Sequence, residues 1–226
     1  GIAEEAHDAE GAAARQGDAA AGFQVDGANP GDKAAETGQT LVEFALVFPI
    51  FLLLLFAVIE FAFVFSGMLG ISYATRDAAL LAAEAGSLTG ADCVIIKAVD
   101  QALSAPASED RIQSIVIYRA DANGVEMTGV ANTWTRTGTT VCPSGLGQIP
   151  YVPDSATTFG YVEADRCNVL KGCPANAAGT HAGPDTIGVR VVYAHQWVTP
   201  LGSFGGLGGS GFTLTQSNSM RVEPVL

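Results

Sequence analysis

From Phe44 to Ile59 no position is charged, and none is charged again from Phe61 to Thr75. Between Leu41 and Ile71, a stretch of 31 residues, only Glu43 and Glu60 interrupt the apolar pattern. About 20 apolar residues cross a bilayer core, so this stretch predicts a transmembrane helix with length to spare. A removable signal peptide would have a shorter apolar core, basic residues before it and a small-residue cleavage site behind it. Neither flank fits that description. Pro49 removes one backbone donor and is expected to bend the helix early, leaving a carbonyl free.

The pattern predicts that the helix continues beyond the membrane. In "ISYATRDAALLAAEAGS" (Ile71–Ser87) helix formers persist while charge returns gradually, and Gly86 offers a C-cap. A continuous helix from Leu41 to Ala85 would be about 65–70 Å long and would leave the bilayer as a stalk. Along it, Ala62, Ser66, Gly70, Ala74, Ala78, Ala82 and Gly86 recur every four residues, all small. Such a ridge admits close approach of another helix in lipid, so Glu60, Ala62, Ser66, Gly70, Ala74 and Ala78 are candidate helix–helix interface residues.

Beyond Gly90 the periodicity changes. "ADCVIIKAVDQAL" (Ala91–Leu103) places Val94, Ile95, Ala98, Val99 and Leu103 on one helical face, and Pro106 ends it. "RIQSIVIYRA" (Arg111–Ala120), the turn "DANG" and "VEMTGVA" read as a hairpin. "TIGVRVVYAHQWV" (Thr186–Val198) and "FTLTQSNSMRVE" (Phe212–Glu223) alternate as two further strands. Gly138–Asp185 reads as a long irregular connection. The expected fold class is α+β: one long N-terminal transmembrane and stalk helix, then a small extracytoplasmic domain with an antiparallel sheet. Three zones follow: an acidic low-complexity cytoplasmic tail (1–37), the transmembrane helix and stalk (38–87), and the extracytoplasmic domain (88–226).

Charge sharpens this division. The chain's net charge is −12, and residues 1–38 carry eight acids against two bases. Nucleic acid is excluded as a partner, since phosphates call for lysine and arginine patches. The Ala/Gly/acid-rich tail cannot bury enough apolar surface to order itself, and is expected to become ordered only on a partner. The chain starts at Gly1 rather than Met, so a segment upstream is expected to have been removed or to lie outside it.

All four cysteines (Cys93, Cys142, Cys167, Cys173) fall in the last zone. An even number in a loop-rich domain past a membrane anchor points to two disulfides in an oxidising compartment. Three pairings are open, of which Cys93–Cys142 with Cys167–Cys173 is preferred. The cysteines are scattered without a CxxC pair, which disfavours zinc. Lys33 and Arg76, single bases on opposite sides, leave orientation to the cysteines: tail in the cytoplasm, domain in the periplasm or outside.

Catalytic chemistry finds little footing. His7, His181 and His195 fall in different zones, and His195, beside Trp197 on a strand, reads as a packed or surface residue rather than a base. "GSFGGLGGSG" (Gly202–Gly211) lacks the lysine and the strand-to-helix setting of a phosphate loop. The expectation is a protein that is not an enzyme and needs no metal or other cofactor.

Gly38 followed by "QTLVEF" (Gln39–Phe44) has the spacing of a type IV prepilin site, a glycine with glutamate at the fifth position after it. With "VEFALVFPIFLLLLFAVIEF", the following "ATRDAALLAA" and the distal "VRVVYAHQWVTPLGSF…FTLTQSNSMRVE", the chain resembles the TadE-like family of pilus-associated proteins. The resemblance does not extend to residues 88–185. It implies a pilin-like motif at Gly38, Glu43 and Phe44, in which Glu43 would pair with a neighbouring subunit's N-terminal amine, and a contact role for Glu60 within "IEF" (59–61). Cleavage after Gly38 would leave Gln39 as the mature N-terminus, whereas this chain retains residues 1–38.

Two functions are therefore expected. The first is a structural or assembly component of a Tad-type pilus or secretion machine in the bacterial inner membrane, contacting other membrane proteins through its helix and its extracytoplasmic domain. The alternative is an accessory structural subunit of a larger membrane complex, respiratory or photosynthetic for example, built on a TadE-like anchor.

Overall fold

A computed structural model describes residues 30–103, 107–154, 159–168, 183–203, 209 and 211–222, with side chains described from Gly38 onward. The chain divides into two compact units, one ending at Phe48 and one running from Pro49 to the C-terminus. Helix α1 spans Pro30–Ala85 and passes through Pro49. Its Gly38–Ala85 portion is long and apolar enough to cross a membrane, and the most apolar 18-residue window in it is wholly unburied. Within the first unit the side chains from Gly38 to Phe48 are exposed, with Phe44 stacked on Phe48 at 5.1 Å between ring centroids.

The second unit is α+β. Helix α2 (Ala91–Ala102) follows the end of α1. The strands are β1 (Ile112–Ala120), β2 (Glu126–Thr135), β3 (Thr140–Val141), β4 (Gln148–Ile149), β5 (Val152–Pro153), β6 (Thr186–Gln196) and β7 (Gly211–Arg221). A five-stranded sheet runs β5-β2-β1-β6-β7, all antiparallel, and β3 pairs with β4 in a separate ribbon. The irregular connection expected over 138–185 thus holds three short strands. Two residues each is too short for an alternating pattern to register in sequence.

Why α1 turns inward is visible in its composition. Ile71, Ala74, Ala78, Ala79 and Ala82 are buried, and they join Ile95, Ile96 and Val99 of α2 with Ile115, Ile117, Ile187, Val189, Val191 and Tyr193 of the sheet in one core. Small side chains on α1 let these elements come close without leaving voids. Strand β7 accompanies the helix. Leu214 lies near Gly67, Asn218 donates to Thr75 Oγ1 at 2.7 Å, and Val222 lies beside Gly86. From Glu60 to Gly86 the helix advances about 39 Å, and an 11-residue strand covers about 36 Å, so one strand can follow that whole helical segment.

Candidate functional site

Glu60, at the end of the charge-free run, is 3% exposed, although its neighbours Ile59 and Phe61 are open to the surroundings. Its carboxylate is enclosed by the end of β6 and the turn that follows. Oε1 lies 2.8 Å from His195 Nε2. The Val198 N–H reaches both oxygens, at 3.3 and 3.1 Å, and the Thr199 N–H and Oγ1–H each donate to Oε2 at 2.9 Å. A carboxylate only accepts, and every one of these groups can donate, with His195 supplying its proton from Nε2. This cage removes the cost of holding an acid at the edge of an apolar helix.

The sequence makes this enclosure possible. His195 is itself 3% exposed and pairs across the sheet with Phe212, whose ring lies 5.0 Å from the imidazole. Trp197 meets the same Phe212 edge-on at 5.7 Å. Two close approaches demand glycine here. A Cβ on Gly211 would fall 1.8 Å from the His195 carbonyl oxygen, and one on Gly202 would fall 2.4 Å from the Trp197 ring. Both glycines let the backbone pass close against the His195–Trp197 segment that encloses the carboxylate. Where the sequence suggested a partner helix for Glu60, the structure supplies its partners from the same chain.

The small-residue ridge is likewise used internally over most of its length. Ala74 and Ala78 are wholly buried, and a Cβ added at Gly70 would meet Ala107 and Leu103 at ordinary contact distance. Ser66 is half-buried, and Ala62 is exposed. The physical reason is that small side chains admit a sheet and a loop as readily as a second helix. In the pilin-like motif Gly38, Glu43 and Phe44 are all exposed, and Gln39 Nε2 donates to Glu43 Oε1 at 3.0 Å along the helix.

The Cys93–Cys142 disulfide is formed and joins α2 to the turn between β3 and β4. Cys167 is also disulfide-bonded; the preferred Cys167–Cys173 pairing involves Cys173, which lies outside the described residues. So do His7, His181 and the acidic tail's side chains.

A second polar cluster is buried at the far end of the stalk. Asp92 forms an ion pair with Arg166 and accepts from Asn132 Nδ2 at 2.9 Å. Tyr161 OH donates to Asp185 Oδ2 at 2.9 Å, and Arg119 Nε pairs with Asp185 Oδ1 at 3.0 Å. Burial pushes the Tyr161 hydroxyl well above its ordinary pKa, with the neighbouring Asp185 charge adding to the effect. Tyr151, beside Asp100 and Arg136, is pushed up in the same way, burial first. These groups bind the 161–168 loop, α2 and the sheet together, with the buried Arg166 Nε left without a partner among the described residues. Among the described residues no group of His, Cys, Asp and Glu could hold a metal ion.

The Glu60 cage was missed in sequence because its two halves, Glu60 and His195, lie 135 residues apart. The available signal was a pair of isolated polar side chains, each in an uncharged apolar run, each needing a partner. No curated protein and no solved structure matches the chain significantly. Residues 38–80, the part of α1 that carries both Glu43 and Glu60, match the family model described as TadE-like protein, which establishes the resemblance over that helix and leaves the sheet outside it.

Proposed function

We propose that this protein is a non-enzymatic, single-pass membrane component of a Tad-type pilus or secretion machine. Its work is mechanical: α1 anchors it, and the disulfide-containing head is presented outside the cytoplasmic membrane. The observation that carries this reading is that the TadE-like match falls on the exposed apolar helix and includes its anchoring glutamate. The head supports the orientation, because cysteine pairs such as Cys93–Cys142 persist in oxidising compartments. The helix face left uncovered by the head, together with the head itself, is where other membrane proteins of the machine would bind.

Co-purification in mild detergent from native membranes tests the reading. Other Tad-type pilus components should accompany the protein, and deletion of its gene should abolish pilus assembly or the associated secretion. Recovery with a respiratory or photosynthetic complex, and normal pili in the deletion strain, would overturn it in favour of an accessory subunit.

A further inference from the structure

Glu60 fixes a depth in the membrane as well as a contact. Counting from Leu41, it is the twentieth residue of the apolar helix, and about 20 helical residues span the hydrocarbon core. A span whose hydrocarbon core begins at Leu41 puts Glu60 at the boundary between hydrocarbon and headgroups. The hydrogen bonds from Val198 and Thr199 hold the turn after β6 at that same level.

The side chains gathered there are apolar and outward. Val198 is 51% exposed and Phe212 39%, and on the helix Phe61 is 71% and Phe65 54% exposed. Val198 and Phe212 flank Trp197, which edges onto Phe212. The sequence adds an independent observation. From Val191 to Met220, 30 residues carry no Asp, Glu, Lys or Arg, as is also true of the helix from Phe61 to Thr75. Around the turn, Gln196, Val198 and Phe212 of that run are exposed and uncharged, and aromatic and aliphatic side chains concentrate at membrane interfaces.

We infer that the end of β6, the turn at Trp197–Thr199 and Phe212 form a seating surface that rests in the lipid headgroup layer beside α1. The head is then held to the membrane at two places, by the helix that spans it and by this uncharged edge. The Glu60 cage sets the height of the second contact relative to the first. The inference rests on α1 spanning the membrane and is independent of which machine the protein serves.

The test uses the full chain in phosphatidylcholine vesicles with lipids brominated near the headgroup or deep in the acyl chains. The chain has two tryptophans, so Trp134→Phe isolates Trp197, and Trp197→Phe isolates Trp134, which is buried on β2 against Phe159. Trp197 emission should be quenched severalfold more than that of Trp134, and more by shallow bromines than by deep ones. Should either variant fail to fold, the wild-type protein should show one quenchable and one unquenchable tryptophan component. Equal, weak quenching of both would overturn the inference. If that weak quenching came with spontaneous Val198→Cys dimers, the surface would belong to a second copy of the chain; without them, it would face water.

Discussion

Glu60 receives donors from an imidazole, two backbone amides and a hydroxyl, and its removal leaves the buried His195 and the part-buried Val198 and Thr199 groups without that acceptor. Glu60→Leu should therefore destabilise the second compact unit by roughly 3 kcal/mol or more, since each unsatisfied buried polar group costs about 1–3 kcal/mol. Glu60→Gln keeps one acceptor oxygen and should cost about half as much. Thermal unfolding in detergent measures both, while membrane yield should be unchanged or higher for the leucine variant. A leucine variant as stable as wild type would show that the cage contributes nothing. The buried tyrosines make a second claim at this scale. Tyr151 and Tyr161 titrate above their ordinary value in the folded state, so their contribution is complete below the unfolded-state pKa and is lost as pH rises toward the folded one. Stability should be flat with respect to these groups below about pH 10, then fall by about 1.4 kcal/mol per pH unit for each tyrosine. Tyrosinate absorbance during alkaline titration should show Tyr151 and Tyr161 ionising only as the protein unfolds.

At the scale of elements, α1 serves two environments along one axis. In its charge-free first part no residue of the most apolar window is buried, while from Ile71 onward its small side chains form one wall of the core. Gly70→Leu should therefore lower stability by about 1–3 kcal/mol through overpacking against Ala107 and Leu103. Ala62→Leu, on an exposed position, should leave stability unchanged. Both outcomes can be read from denaturation in detergent. A Gly70→Leu variant of normal stability would mean that the head does not press on this position. The elements themselves were largely legible. Periodicity located α2 and the four long strands, because each buries one face over enough residues for the period to show. Helix α1 was located by its charge-free run, but it begins at Pro30 rather than Leu41, inside the stretch expected to order only on a partner. Ribbon β3–β4 and strand β5 were not legible, being two residues long and set by tertiary pairing alone. The ridge was legible as a surface of close approach, but not what approaches it, because a four-residue spacing of small side chains specifies shape and leaves the neighbour's identity open.

For the whole molecule, the central claim is that one helix anchors a disulfide-bonded head on the oxidising side of the membrane. Its parts are mutually consistent. The apolar helix is long enough to span, the Cys93–Cys142 bond lies in the head, and the edge beside Glu60 carries no charge. Thiol labelling of intact cells tests it most directly. Cys93 and Cys142 should be unreactive toward any maleimide until a reductant is added, and should then react with a membrane-impermeant reagent applied from outside. Labelling without reductant by a membrane-permeant maleimide alone, with the impermeant reagent inert, would place the head in the cytoplasm and contradict the account.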